Sequence, residues 1–382
     1  MNTDSKYPKI IFIHNTAMWY RRPFFKLLNQ IYNIKFVFTH INVSKDIYDV
    51  EISNKIEGME NVNYTLLKSY FNVAFGVIRE SLGDYDILVG GSWDSLPEIV
   101  ETTFYFLISK LRGKKFVIWT EDWNWKIQST KREIVKHFAR FIIKNSDAVL
   151  VPGSKHKECV IYLGSSPEKV FIMPNASNFS QGENLSPKEL ETEGFKVNNK
   201  KIILFVGRLV KQKGVDYLIN AFYKLKKERD DIGLVIIGKG EHEYELKKMV
   251  KSLKIEKDVH FLGQIDNHLL TYYYNSCEVC IIPSITDEML DAWAFVVNEA
   301  MYCGKPVIAT DAVGSAFDMI KNGKNGFIVP EKDENALYES MMVILSDENL
   351  RRNMGKESKK IVEGFGYDNM VEGFSKAIDY LN

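Results

Sequence analysis

The sequence predicts an α/β protein of two doubly wound domains, each a parallel sheet covered by helices. Three observations carry that expectation. Short β-branched runs alternate with helix-period segments in both halves of the chain. A polar stretch with little apolar periodicity, residues 176–200, separates the halves. The unusual polar and aromatic residues gather in loops that follow apolar runs, where open α/β sheets bind ligands. At 382 residues the chain is long enough for two domains, each with its own core.

In the first half, residues 9–13, 34–39, 86–89, 116–119, 148–151 and 170–173 read as strands. A helix at 23–30 follows the first, with Pro23 near its first position. The loop between them, His14-Asn15-Thr16-Ala17-Met18-Trp19-Tyr20-Arg21-Arg22, has no glycine. A dinucleotide-binding turn would carry Gly-x-Gly-x-x-Gly there so that pyrophosphate can approach the helix, so the loop argues against an NAD-dependent enzyme. His14 lies beyond the first strand and Glu121 and Asp122 beyond the fourth, which makes them candidate site residues. A structural role for His14 stands equally open.

In the second half, strands are expected at 202–206, 234–237, 259–262 and 279–282, with a further β-branched run at 307–309. Helices are expected at 215–229, 295–302, 334–345, 351–365 and 367–381. Gly304-Lys305-Pro306 stops the helix at 295–302.

The net charge is zero, which argues against nucleic acid as a partner. The apolar run at 10–13 is too short for a signal-peptide core, and no segment approaches the roughly 18 apolar residues of a membrane span. The expectation is a cytoplasmic protein, at most peripheral at the inner face of a membrane. Four cysteines suit a reducing compartment. Cys277 and Cys280 sit three apart on an expected strand, hence on opposite faces, and no second Cys-x-x-Cys completes a zinc site. No metal is expected. Asp84-x-Asp86 precedes its strand, whereas a metal-holding pair would sit beyond the strand end, so it reads as structural.

Two constellations carry chemistry. After the strand at 279–282 comes a loop with Asp287, Glu288 and Asp291, then a helix bearing Glu299. Backbone amides of Trp293, Ala294, Phe295 and Val296 would lie at that helix's amino end, where unpaired N–H groups and the dipole favour an anion such as phosphate. Acids beside an anion site are electrostatically awkward unless they grip hydroxyls; a cap role for Asp291 and dipole compensation by Glu299 are the plainer alternatives. Earlier, after the strand at 202–206, Gly207-Arg208-Leu209-Val210-Lys211-Gln212-Lys213-Gly214 places two cations, Arg208 and Lys213, in one short loop before a helix. Arg offers phosphate a planar fork and Lys a compact charge.

The stretch Asp291-Ala292-Trp293-Ala294-Phe295 through Glu299-Ala300-Met301, with Gly304, Pro306, Val307, Ile308 and Ala309, resembles the signature of glycosyltransferase family 4, a Glu followed eight positions later by a second Glu. Two positions depart: Asp291 is one methylene shorter than Glu, and Ala294 stands where the pattern has Gly. The loop from Gly207 to Gly214, continued by Leu218, Ile219, Ala221 and Phe222, resembles the family's other hallmark. Ile236-Ile237-Gly238-Lys239-Gly240 and Gly263-Gln264 agree with it.

The resemblance implies a GT-B fold, two Rossmann-like doubly wound domains facing a cleft. Its implied bounds are 1–178 for the acceptor domain, 179–200 for a linker, 201–365 for the donor domain and 366–382 for a helix crossing back. It implies a retaining, metal-independent transferase of hexosyl type that uses a nucleotide-diphosphate sugar and no cofactor; the motifs do not name the base, and a UDP-sugar is expected over a GDP-sugar. Arg208, Lys213 and Asp291 would be catalytic. Gly207, Gly263, Gln264, Ile265, Trp293, Ala294, Phe295, Val296 and Glu299 would bind the donor, and His14, Glu121 and Asp122 would face a glycan or lipid-linked acceptor. An epimerase, a sugar phosphorylase or a binding-only subunit on the same scaffold are the alternatives. The basic, amphipathic segment 131–144 reads either as a surface helix packed on the sheet or as a contact with anionic lipid.

Overall fold

The computed structural model describes residues 8–40, 56–69, 73–91, 96–123, 130–179, 200–287 and 291–382. Residues 180–199 of the expected linker, and Glu288, lie outside the described residues. The chain forms two compact units, Met1–Asn178 with Gly366–Asn382, and Phe179–Phe365.

The first unit holds a parallel sheet of β1 (Ile10–His14), β2 (Ile34–Phe38), β3 (Tyr64–Leu66), β4 (Ile87–Gly90), β5 (Lys115–Trp119), β6 (Ala148–Val151) and β7 (Val170–Ile172), in the order β3-β2-β1-β4-β5-β6-β7. Helices α1 (Arg22–Ile31), α2 (Gly76–Ser81), α3 (Leu96–Leu111), α4 (Thr130–Asn145) and α5 (Ser154–Tyr162) alternate with the strands. Strand β3 is not expected from sequence, because three half-buried residues at a sheet edge leave no alternation to read. Asp84 pairs with Lys9 at 2.5 Å, and Asp86 accepts the Lys9 amide at 2.9 Å, so both brace the start of β4.

The second unit repeats the plan. Its strands β8 (Lys201–Val206), β9 (Ile232–Ile237), β10 (Val259–Gly263), β11 (Cys277–Ile282), β12 (Val307–Thr310) and β13 (Gly326–Val329) pair in parallel in the order β10-β9-β8-β11-β12-β13. They alternate with α6 (Val215–Lys226), α7 (Glu243–Ser252), α8 (Asn267–Ser276), α9 (Phe295–Tyr302), α10 (Ala316–Met319), α11 (Glu334–Ser346) and α12 (Glu348–Val362). Strand β9 is buried at every position because helices cover both faces, which explains why it reads as a continuous apolar run. In each sheet the strand order reverses once, between β1 and β4 and between β8 and β11. Loops at the carboxyl ends of those strand pairs diverge to opposite faces and leave a crevice.

One sequence expectation is corrected. Cys277 and Cys280 do not face opposite sides of β11. The β11–β8 register shifts at this point, with Cys277 opposite Ile202 and Val279 opposite Ile203. Glu278 is the extra residue of a bulge, and it returns Cys277 to the core that also holds Cys280 and Cys303.

The last helix, α13 (Tyr367–Leu381), belongs to the first unit. Met370, Phe374, Ala377 and Ile378 recur at helical spacing on one face and are fully buried. The Phe374 ring stacks on Phe12 with centroids 5.9 Å apart and planes 6° apart. Gly373 permits this approach, since a Cβ there would stand 2.3 Å from the Ile172 carbonyl oxygen. Replacing Phe374 with Ala is expected to destabilise the first unit by about 3–5 kcal/mol, read as a lower urea midpoint for that unit's unfolding. A midpoint equal to that of the parent would show that α13 adds nothing to this core.

Candidate functional site

In the second unit, the loops after β8 and β11 flank the reversal of strand order and are joined at several points. The β8 loop is anchored first to the turn after β9: the Gly207 amide donates to Ile237 O at 3.0 Å and the Leu209 amide to Lys239 O at 2.8 Å. A 3₁₀ turn, Lys211–Lys213, follows and ends at Gly214, which takes the left-handed conformation at φ 60°, ψ 27°. A Cβ on Gly214 would stand 2.1 Å from the Pro283 carbonyl oxygen. Both conformation and space therefore demand glycine where α6 begins. The Ile285 amide donates to Gln212 O at 2.8 Å, a second tie between the loops.

A charged contact completes the join. Lys213 Nζ lies 2.6 Å from Asp291 Oδ2, and the Ser284 hydroxyl donates to the same oxygen at 2.6 Å. The Asp291 side chain is 7% exposed and that of Lys213 18%. Asp291 is also fixed through its backbone, which bridges to Val313 and accepts the Gly314 amide at 2.9 Å. Thr310 donates its hydroxyl to the Ser284 carbonyl. Arg208, on the same loop as Lys213, is exposed and forms no ion pair among the described residues. The two cations are thus unequal: one is held by a carboxylate and the other is open to solvent.

Helix α9 starts after Ala294, whose side chain offers no cap, and no acid stands in its first turn to oppose the positive end of the helix dipole. Ala294 has φ −81°, ψ 99°, an ordinary extended conformation, so alanine sits where the related pattern has glycine without backbone strain. Trp293 is buried and donates its indole N–H to Asn298 at 3.1 Å, which steadies the approach to Phe295 and Val296. Glu299, one turn into the helix, accepts the Tyr274 hydroxyl at 2.7 Å. Burial, and then the Glu299 charge, hold the Tyr274 phenol well above its ordinary range, so it remains a donor. At the end of β10, Gly263 takes φ 71° and its carbonyl accepts the Gly238 amide at 2.7 Å; Gln264 is exposed and Ile265 half-buried.

In the first unit, Arg21 forms the centre of a second cluster. It is buried, lies over the Trp119 ring at 4.7 Å, donates to Asn175 Oδ1 at 2.6 Å and pairs with Glu121. Asn175 also donates to Glu121 at 3.1 Å. His14 packs its ring on Trp119 and Phe25 at 5.1 and 5.7 Å and shares a hydrogen bond with Thr16 O at 2.9 Å. Burial, with the nearby Arg21 charge, lowers its pKa to about 3. The Asp122 amide donates to Thr120 Oγ1 at 3.3 Å. His14 and Glu121 thus share Trp119 and Arg21 as neighbours. Sequence reasoning missed Ser284, Tyr274, Arg21 and Asn175 as their partners; Ser284 and Asn175 each follow a proline at a strand end, which is the available signal.

Because folding lowers His14 from its usual 6.5 to about 3, the unfolded chain takes up a proton between those values that the folded chain refuses. Stability from this group is therefore complete above pH 6.5 and is lost as pH falls towards 3. We expect His14→Gln to flatten the fall of the urea midpoint between pH 6.5 and 4. An unchanged slope would show that His14 is protonated in the folded chain.

Residues 188–361 match the family model of glycosyl transferases group 1. An uncharacterized glycosyltransferase of Haemophilus influenzae is 25% identical over 350 residues, 91% of each chain. The Campylobacter jejuni N-acetylgalactosamine-N,N'-diacetylbacillosaminyl-diphospho-undecaprenol 4-alpha-N-acetylgalactosaminyltransferase is 30% identical over 61% of this chain and 60% of its own. Among solved structures, HepE of Anabaena in complex with UDP superposes with a TM-score of 0.76 at 17% identity, over 97% of this chain and 99% of HepE. HepE has also been solved with UDP-glucose. These likenesses show the GT-B architecture of two parallel-sheet Rossmann-like domains, and they favour sugar transfer over epimerisation, phosphorolysis or binding alone.

Proposed function

We propose that the chain, a glycosyltransferase of GT-B fold, moves a sugar from a nucleotide-diphosphate sugar to a glycan or lipid-linked acceptor, with retention of configuration and without a metal. The observation that carries this reading is the join of a two-cation loop to a carboxylate loop across the β8–β11 reversal, followed by the amino end of α9. Arg208 and Lys213 neutralise charge developing on the leaving diphosphate, and amides of residues 293–296 add to that stabilisation. Glu299, oriented by Tyr274, holds the ribose hydroxyls. Backbone at Gly263, Gln264 and Ile265 reads the base, and Gly207 keeps the loop clear of the donor. The HepE complexes with UDP and UDP-glucose support a UDP-sugar over a GDP-sugar.

Retention follows from front-face displacement. The bond from the anomeric carbon to the diphosphate oxygen breaks as the bond to the acceptor oxygen forms on the same face, and the acceptor proton passes to the leaving phosphate. Asp291 supports this route over a covalent one, because its carboxylate is buried and already bound by Lys213 and Ser284. The first unit takes the acceptor side, with His14, Glu121 and Asp122 as its contacts. The lipid diphosphate in the Campylobacter enzyme's name supports a lipid-linked acceptor.

Transfer from UDP-sugars to glycan and polyprenyl-diphosphate acceptors, assayed in EDTA, tests this reading. Acceptor-dependent product with the donor's anomeric configuration is expected, and turnover indifferent to acceptor would sink it. Loss of a charge-assisted contact is worth about 1.5–3 kcal/mol, so Arg208→Ala is expected to weaken UDP binding roughly ten- to a hundred-fold by calorimetry. Glu121→Ala is expected to leave UDP affinity unchanged.

We also propose peripheral contact with the inner face of a membrane through 131–144. No helix among the described residues is long and apolar enough to cross a membrane. Helix α4 divides its apolar residues: Val135, Ala139, Ile142 and Ile143 are buried, while Phe138 and Phe141 stay exposed beside Arg140 and Lys144. On neighbouring α3, Val100, Phe104, Leu107 and Leu111 form an exposed stripe at helical spacing. Burying such a face needs a partner, and basic residues beside it suit anionic lipid. Phe138→Ser with Phe141→Ser is expected to abolish co-sedimentation with phosphatidylglycerol vesicles; equal sedimentation of parent and variant would overturn the contact.

A further inference from the structure

We infer that Asp291 is the resident counter-ion of Lys213, a built-in competitor of the donor's diphosphate that hastens release of the nucleoside diphosphate product. The inference rests on the donor-site reading above. It explains why an acid stands within 2.6 Å of a cation assigned to phosphate, where negative charge otherwise opposes the ligand.

The two partners differ in freedom. Asp291 is held at three points: its backbone bridge to Val313, in which its carbonyl accepts the Gly314 amide, the Ser284 hydroxyl on Oδ2, and Lys213 itself. Ser284 is held in turn by Thr310. An aspartate stem has one methylene between backbone and carboxyl, so a carboxylate fixed this way cannot follow a departing cation. Lys213 has a flexible four-carbon stem and three donors, and it is the more exposed of the two. When a diphosphate arrives, the lysine moves or shares its charge, and either response lowers affinity. When the product leaves, Asp291 takes the lysine back, which stabilises the empty site relative to the occupied one. A glutamate at this place would carry a longer stem, able to swing away from Lys213. The departure from the family pattern is therefore the feature that makes Asp291 a fixed counter-charge.

Calorimetric titration of UDP and GDP against the parent and Asp291→Asn tests the inference. Removing the competing charge while keeping the shape is expected to tighten nucleoside diphosphate binding about tenfold, with a matching fall in the product-inhibition constant and a lower kcat. In a Lys213→Met background the gain is expected to vanish. Asp291→Ser serves as a second neutral variant if the asparagine form does not fold. Unchanged affinity would mean that Asp291 does not compete with the diphosphate for Lys213, and weaker binding that it merely positions Lys213; either result overturns the inference and leaves the donor site standing. Failure of every nucleoside diphosphate to bind the parent would overturn the donor-site reading, and this inference with it.

Discussion

The close approach of Gly214 to the Pro283 carbonyl is the constraint on which the second unit's site depends. It brings the cation loop onto the carboxyl end of β11, and no side chain other than hydrogen fits the gap. Once the loops touch, the Ile285 amide finds Gln212 and Lys213 finds Asp291. The cation loop has one 3₁₀ turn, Lys211–Lys213, too short to fix its own place, so its position comes from the β11 loop and from the sheet beneath. A site assembled this way is stiff at its base, where main chain meets main chain, and compliant at its rim, where Arg208 stands in solvent.

The first unit solves a similar problem with a buried cation instead of a glycine. Arg21 sits on the Trp119 face and ties the loop after β1 to Glu121 beyond β5 and Asn175 beyond β7. Its charge is answered by Glu121, whose carboxylate stays partly exposed at the edge of the interior. Burial, with the same charge beside it, keeps the neighbouring imidazole neutral. One buried guanidinium thereby places a carboxylate and adds to what keeps a histidine neutral.

Much of the architecture is legible in the sequence because its signals are local. Buried parallel strands read as apolar runs, and proline and glycine mark where they stop. The cation loop and the acid-bearing helix are legible for the same reason. Their coupling is not, since Lys213 and Asp291 are 78 residues apart and each alone suggests a different partner. Arg21 and Asn175 are 154 apart, and nothing in either local stretch points to the other. Strand β13, with half-buried residues in its middle, and the bulge at Glu278 escape for another reason: a four-residue strand and a one-residue insertion leave no period to detect.

Helix α13 has a consequence for the order in which the chain is made. The first unit's core contains residues from both ends of the sequence, and the whole of Phe179–Phe365 is synthesised between them. At roughly 5–20 residues per second that interval lasts on the order of 10–40 s. Throughout it, the newborn amino-terminal sheet carries Phe12 and Phe24 without the aromatic cover that Phe374 provides. The second unit is contiguous and is complete as soon as its own last residue has left the ribosome. The half of the protein that is translated first is thus the half that closes last.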